Sequence, residues 1–403
     1  MRNNNKILII WSSEWPWDVR IDKQIKTLIN NNYDVSIIAR NTTKRKSEEI
    51  VNNIHIFRVG NILPNNSLDN VISTPIYINP LWIIKILKTI IRTKPNIILI
   101  REIPLAPITI ILAKMFNIKV VLDIAEHFPA LMRVTKKYIN NPLLKFLICS
   151  LGWYDYIEKF SVKNCDKILV VVKESKDRLI KQYKICEDKI EIVSNTPIEI
   201  PKSQIYYQYT ENLKIVYTGN IDGKFRGIQT ILEAAEILKE HQNIEFNIIG
   251  DGAAFSMIKQ LKNNKNLHNI NLLGRFEHFK LLEFLRTQSL GIVPHTKSDV
   301  IEYTIPNKLF DYMSYSLPLI VSSATPLKRI VEETNCGYIF EAENPKSLAD
   351  LILSLFNKKQ ELFTKAQNGY NAIVQIYNWS KDEKKFCNIL NQLLNKKGVN
   401  DAN

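Results

Sequence analysis

The sequence predicts an α/β protein of two domains, each a parallel sheet wrapped by helices, and three observations carry that reading. At 403 residues the chain is too long for one ordinary hydrophobic core. Short β-branched runs alternate with helix-period patterns, the rhythm of parallel strands joined by crossover helices. That rhythm stops in a polar, tyrosine-rich stretch at 200–212 and then starts again.

In the first half the strand patterns fall at Lys6–Trp11, Val35–Arg40, Ile54–Val59, Ile97–Arg101, Lys119–Asp123, Ile168–Val172 and Ile190–Val193. In the second half they fall at Lys214–Thr218, Glu245–Ile249, Ile270–Leu273, Leu290–Pro294, Leu317–Ser322 and Tyr338–Phe340. The expected domains are 1–200 and 213–375, joined by the linker at 200–212. A final segment, 376–403, carries an amphipathic helix from about Trp379 to Leu394, expected to pack back on the first domain. No internal repeat relates the halves. Open α/β sheets bind ligands beyond the carboxyl ends of their strands, so ligand is expected between the two domains.

Composition narrows the class. Hydrophobic residues at 45% and charged residues at 23% describe a globular enzyme. The formal charge of +14 is uneven: residues 1–200 hold 30 Lys and Arg against 19 Asp and Glu. Such a half suits an anionic membrane surface or a phosphorylated acceptor, with a broadly solvated basic surface as the alternative. No nucleic-acid-binding motif accompanies the charge, so nucleic acid is not an expected partner. The five cysteines lack metal or redox spacing and point to a reducing cytosol. The apolar run at the start is too short for a signal peptide, and 97–116 is interrupted by Arg101, Glu102, Pro104, Pro107 and Lys114. A cytoplasmic protein without a membrane span is expected.

Four segments carry candidate chemistry. In Thr304–Val321 a proline precedes a polar pair and an apolar helical face. That arrangement is a loop feeding a helix whose amide-rich N-terminus can hold phosphate. Lys308, beside Asn307, adds a point charge, and Asp311 one turn later is placed to accept hydrogen bonds from a ribose diol. Capping and surface ion pairing are the alternative roles. Tyr217–Ala235 is strand, glycine-bearing loop and helix; Gly219, Lys224, Arg226 and Gly227 combine close backbone approach with cations, the chemistry of a diphosphate cradle. Gly250 and Gly252 form a turn after the next strand. Trp15, Pro16, Trp17, Asp18 and Arg20 follow the first strand, where an exposed Trp-Pro-Trp suits stacking on sugar or lipid, with core packing as the alternative. That loop lacks Gly-x-Gly-x-x-Gly, which excludes a nicotinamide-dependent oxidoreductase.

The segment Pro306-Asn-Lys-Leu-Phe-Asp311-Tyr-Met with Pro318 resembles the signature of glycosyltransferase family 4, retaining enzymes of the GT-B architecture. The resemblance implies two Rossmann-like domains facing each other across a cleft. It makes Asp311 the second acid of a Glu-x7-Glu motif that binds donor ribose. Tyr303 stands where the first acid falls, with Glu302 beside it, and Ser316 replaces a glycine. In the loop after Thr218, Arg226 matches the family's lysine and Asn220 occupies the place of its arginine, so Lys224 or Lys308 is the expected replacement charge. Gly250-Asp-Gly252 matches a turn close to the donor, and Gly274-Arg-Phe276 resembles the loop that meets the nucleobase. Trp15–Arg20 resembles the opening loop on the acceptor side. Asp123–Pro129 is similar to a turn near the reacting sugar, in which Glu126 is the better match and His127 stands displaced, with Ala125 in the usual histidine position. Residues 159–197 are similar to the family's closing strands.

The resemblance implies transfer of a sugar from a nucleoside diphosphate to an acceptor hydroxyl with retention, in lipopolysaccharide, capsule or exopolysaccharide synthesis. Glu126, His127, Arg226 and Lys308 are the expected catalytic groups. The nucleotide sugar is a substrate, and no cofactor or metal is expected. The alternatives are a GT-B nucleotide-sugar epimerase and a non-catalytic sugar-nucleotide-binding protein. The acceptor is expected to be a glycan or lipid-linked. Docking at the inner face of the cell membrane is expected through Arg133, Lys136, Lys137, Tyr138, Lys145, Trp153 and Tyr154 around the apolar run Pro142–Leu151.

Overall fold

The computed structural model describes residues 5–16, 18–60, 79–135, 145–201, 212–222 and 224–400. The chain divides into two units, Met1–Val193 with Asp382–Asn403 as the first and Ser194–Lys381 as the second.

The first unit holds β1 (Lys6–Glu14), β2 (Asp34–Arg40), β3 (Glu48–Val51), β4 (Ile54–Val59), β5 (Ile97–Arg101), β6 (Lys119–Ile124), β7 (Lys167–Val170) and β8 (Ile190–Ile192). They form one sheet in the order β3-β4-β2-β1-β5-β6-β7-β8, parallel except for β3 against β4. Its helices are α1 (Val19–Asn30), α2 (Pro80–Thr93), α3 (Ala106–Met115), α4 (Phe128–Val134), α5 (Trp153–Asn164) and α6 (Lys173–Tyr183). Every residue of β5 is buried, as expected of a parallel strand covered on both faces. Ile98, Ile100, Leu122, Ile168 and Trp82 belong to the core.

Strand β3 is absent from the sequence reading. Its residues are largely exposed, so no apolar alternation marks it. The signal lay in Asn52 and Asn53, both at positive φ, which close the two-residue hairpin between β3 and β4.

The second unit holds β9 (Leu213–Thr218), β10 (Ile244–Ile249), β11 (Ile270–Gly274), β12 (Leu290–Val293), β13 (Leu319–Ser322) and β14 (Gly337–Phe340). Their order is β11-β10-β9-β12-β13-β14, all parallel, with the first strand central and the direction of winding reversing beside it. This is the Rossmann order, and its switch point lies between β9 and β12. In the first unit the corresponding reversal lies between β1 and β5. The helices of the second unit are α7 (Ile228–Ile237), α8 (Phe255–Asn264), α9 (His278–Leu285), α10 (Asn307–Ser314), α11 (Thr325–Thr334), α12 (Pro345–Ser354) and α13 (Lys359–Gln375). A last helix, α14 (Trp379–Asn400), starts in the second unit and enters the first at Asp382.

The linker expected at 200–212 lies mostly outside the described residues. The first unit ends at Val193 rather than at residue 200. Residues beyond it are tied to the second unit: the Asn195 amide donates to the Ile305 carbonyl at 3.2 Å, and the Trp379 N–H donates to the Pro197 carbonyl at 2.9 Å. Within the first unit, Tyr33 Oη donates to Asn391 Oδ1 at 3.1 Å, and Lys385 Nζ donates to the Ile192 carbonyl at 3.3 Å. No described helix is long and apolar enough to cross a membrane.

Candidate functional site

In the second unit the site grows from the carboxyl end of β9. Gly219 leaves the strand at φ +120°, and a Cβ there would lie 3.2 Å from Lys308 Nζ. Glycine therefore lets the ammonium come down on bare backbone. Gly250, at the end of β10, packs more closely still, since a Cβ there would fall 1.8 Å from the Gly219 carbonyl oxygen. A short 3-10 turn, Lys224–Arg226, then docks on the end of β12. Gly227 permits this, since a Cβ would fall 1.7 Å from the Pro294 carbonyl oxygen, and the Thr296 N–H donates to the Phe225 carbonyl at 3.1 Å. Asp222 accepts the Ala254 N–H at 3.1 Å, and Gly252 packs against its carboxylate.

Helix α10 is held over this loop by a tyrosine. Tyr312 fits because Gly291 on β12 has no side chain to oppose it. Its hydroxyl accepts the Thr218 N–H at 2.8 Å. The helix begins after Pro306 without a side-chain cap, and Lys308 lies in its first turn. Lys308 Nζ is buried 3.6 Å from the centroid of the Tyr217 ring and has no hydrogen-bond partner among the described residues. Burial, then the Arg226 guanidinium, hold the amine well below its usual range, and Asp311 acts in the opposite direction. Arg226 stacks on Phe225 at 5.1 Å and keeps a buried Nε without a partner among the described residues.

Buried donors without partners are costly and rare in native proteins. Two of them converging on glycine backbone beside a switch point suit an anion. The structure thus gathers Gly219, Asn220, Gly250, Gly252, Arg226, Lys308 and Asp311 in the loops and helix start at this strand edge. Lys224 is exposed on the 3-10 turn, and Asn307 is exposed at the first position of α10. Phe276, past β11, packs edge-on against Phe284 at 5.5 Å with the Lys280 ammonium over its ring. Tyr303 is half-buried. Glu302 is engaged elsewhere: its carboxylate accepts the N–H and hydroxyl of Thr325 at the start of α11, so it serves that helix.

The first unit has a charged cluster at its own switch point. Asp123, the penultimate residue of β6, is fully buried and takes a two-pronged ion pair from Arg20 at 2.7–3.1 Å, with the Gln24 amide at 2.8 Å. Burial works to raise the Asp123 carboxyl, but Arg20, Arg101 and Gln24 outweigh it and hold it below the usual range. Arg20, expected on the acceptor side, is buried, and its guanidinium clamps α1 to β6. Asp18 accepts the Ile21 N–H at 2.9 Å and caps α1. Trp15 also departs from expectation: it is buried, and its indole N–H donates to Asp22 at 2.8 Å, so core packing describes it better than stacking on a ligand. Trp17 lies outside the described residues. Glu126 is exposed and His127 buried at the start of α4.

Glu102 was missed. It follows β5 at φ +64°, a conformation side chains adopt at a cost, and is buried. One carboxylate oxygen contacts Arg101 and accepts the Ala125 N–H at 3.0 Å; the other has no partner among the described residues. Burial pushes its pKa up to about 7; Arg101 opposes that and Glu126 adds to it. The sequence reading used Arg101 and Glu102 only as charges that exclude a membrane span. Among the described residues no group of three or more His, Cys, Asp or Glu is placed to hold a metal ion.

Two parallel sheets, each with polar groups gathered at its switch point, and one with a glycine-floored basic pocket, define a protein of the GT-B class. Residues 19–196 match the family model described as Glycosyltransferase Family 4, and residues 201–372 match that of Glycosyl transferases group 1. The chain belongs to these glycosyltransferases. It is 25% identical over 226 residues to a protein of Methanocaldococcus jannaschii described as an uncharacterized glycosyltransferase. The match covers 56% of this chain and 59% of that protein. Sucrose-phosphate synthase from Thermosynechococcus elongatus has a similar fold, with a TM-score of 0.77 at 14% identity over 98% of this chain and 100% of that one. Anabaena HepE, in complex with UDP-glucose, gives 0.69 at 14% identity over 96% and 99%. WaaG, a glycosyltransferase involved in lipopolysaccharide biosynthesis, gives 0.66 at 11% identity over 94% and 98%. At these identities the likeness is one of fold.

Proposed function

We propose that the protein transfers a sugar from a nucleoside diphosphate to an acceptor hydroxyl, with retention, in the synthesis of a surface glycan. The observation that carries this reading is the buried amine of Lys308, without a hydrogen-bond partner among the described residues, against the backbone of Gly219. As the bond from sugar to phosphate breaks, negative charge grows on the leaving diphosphate. Lys308, Arg226 and the N–H groups at the start of α10 stabilise that charge, and they are fixed in place beforehand by packing. The reading calls for no resident metal. Asp311 takes the donor ribose, and the groups at the carboxyl edge of the first sheet, Glu126 and His127 among them, are assigned to the acceptor and the reacting sugar. The UDP-glucose complex of HepE supports a nucleotide sugar as donor, and the involvement of WaaG in lipopolysaccharide biosynthesis supports a surface polysaccharide as product.

Purified protein incubated with a panel of labelled nucleotide sugars and glycan acceptors tests this directly. Lys308→Ala and Arg226→Ala should each lower kcat by about 10²-fold, because they act on charge that appears in the transition state. Asp311→Ala should weaken donor binding. An effect of the first two substitutions confined to KM contradicts the assignment. Product analysis showing an altered free nucleotide sugar would establish an epimerase, and binding without turnover a sugar-nucleotide-binding protein.

A second reading concerns location. Leu151, Trp153, Tyr156 and Phe160 are exposed on and before α5, and with Pro107 and Ile157 they line a surface cavity of about 430 Å³. Lys145, Lys159 and Lys163 are exposed beside them, whereas Glu158 is buried against Arg178 and Asp155 is paired with Arg133. Apolar surface edged by exposed lysines suits an anionic lipid surface and a lipid-linked acceptor. Lys136, Lys137, Tyr138 and residues 142–144 lie outside the described residues, and Tyr154 is buried, so the exposed face of α5 replaces them in this reading.

A further inference from the structure

His295 is the residue immediately after Pro294, at the end of β12, and thus on the side of the switch point opposite Gly219. Both of its neighbours hold the 3-10 turn that carries Arg226: the Pro294 carbonyl sits against Gly227, and the Thr296 N–H donates to Phe225. The imidazole is almost completely buried, at 1% exposure. Among the described residues neither Nδ1 nor Nε2 has a hydrogen-bond partner. A neutral imidazole needs one acceptor for its N–H and one donor for its bare nitrogen, and burial without either is costly. A histidine that served only to fill the core would be better replaced by an apolar residue. Lys308 and Arg226, whose own nitrogens are likewise left over, are the charged groups that act on the ring.

We propose that His295 is a third basic group of the diphosphate site, which takes a proton from solvent and hydrogen-bonds to a phosphate oxygen when the donor binds. This rests on the diphosphate reading of Lys308 and Arg226. In the ligand-free protein, burial, then Lys308 and Arg226, hold the ring well below its usual pKa, so it is neutral at pH 7. Asp311, the acid of α10, acts on Lys308 rather than on the ring. A diphosphate brings negative charge into the same space, which favours protonated imidazole. Binding is then linked to proton uptake, and repulsion among the basic groups of the site is reduced until its ligand arrives. On transfer, the same N–H remains on the departing phosphate as its charge grows.

Inorganic pyrophosphate is the probe, since it does not depend on the unidentified base. Calorimetry at pH 7 in two buffers of different ionisation enthalpy reads protons taken up on binding. The wild type should take up close to one proton more than His295→Gln, whose side chain is of similar reach and does not titrate. The affinity of the wild type should rise as the pH falls from 8 to 6, more steeply than that of the variant by up to about tenfold per pH unit. Protonation of pyrophosphate itself is common to both proteins and cancels in the difference. Equal uptake and equal slopes in the two proteins would overturn the assignment. Binding lost in Lys308→Ala, with equal uptake in the other two proteins, would remove His295 while leaving the diphosphate site standing; no binding to the wild type would remove both. Should His295→Gln not fold, ¹⁵N spectra of the histidine rings in the wild type give the same answer. One of the six histidines must pass from neutral to protonated on addition of pyrophosphate. No change of charge at any of them sinks the proposal.

Discussion

Glu102 shows how one residue can set a response of the whole chain to pH. Its carboxyl has a pKa of about 7 in the folded protein against an ordinary 4.5, so between those values the folded state binds more proton than the unfolded one. Stability contributed at this residue is therefore complete below pH 4.5 and is lost as the pH rises through 7. Glu102→Gln removes the titration. Its unfolding free energy, measured by denaturant at pH 5, 6, 7 and 8, should show a slope less negative than that of the wild type by up to about 1.4 kcal/mol per pH unit. Parallel profiles would mean that Glu102 does not titrate in this window. Neither Glu102 nor His295 was legible in the sequence, and for the same reason. Glu102 stands one residue beyond β5 and His295 two beyond β12, and nothing in a short apolar run reports what the residues after it are buried against. Lys308, Arg226 and Asp311 were legible because they lie in segments with a proline, a glycine and a helix start to fix their position. Trp15 misled because an aromatic pair around a proline was taken as exposed, while Asp22, its hydrogen-bond partner, lies seven residues away on α1.

At the scale of elements, the end of α10 carries a local strain. Ser316 adopts φ +54°, the left-handed conformation in which an ordinary helix often ends on glycine, and its buried hydroxyl has no partner among the described residues. The Leu317 N–H closes back on the Tyr312 carbonyl at 3.0 Å, so the turn is fixed whatever residue occupies it. Ser316→Gly relieves the left-handed cost and removes the stranded hydroxyl. It should stabilise the protein by about 1 kcal/mol in thermal unfolding, net of the greater freedom of glycine in the unfolded chain. A loss of stability would show that the hydroxyl is satisfied in solution. Strand order, by contrast, was beyond the sequence. The alternation of strands and helices announced two parallel sheets, but which strands lie side by side is decided by crossovers between distant segments. Strand β3, exposed and antiparallel, carries its two apolar residues, Ile50 and Val51, side by side and exposed, so no alternation marks it.

For the whole molecule the membrane reading makes a measurable demand. Attraction between exposed lysines and anionic lipid fades as the Debye length shrinks from about 10 Å at 0.1 M salt to about 3 Å at 1 M, while burial of Trp153 and Tyr156 does not. Co-sedimentation with anionic vesicles should fall at high salt. Lys159→Glu with Lys163→Glu should abolish the salt-dependent part, and Trp153→Ala with Tyr156→Ala should weaken binding at both salt concentrations. No binding to such vesicles at low salt would contradict the membrane reading. The division of the chain has a different consequence, one of timing. The first unit begins at the N-terminus yet includes residues from Asp382 onward, whose Lys385 and Asn391 bond to Ile192 and Tyr33. A ribosome delivers that last helix only after the entire second unit, residues 194–381, has emerged. At about 5–20 residues per second, the first sheet waits on the order of 10 to 40 s for its closing element. During synthesis the second unit is thus the first to have its whole sequence in hand, and the unit that starts the chain is the last to be finished.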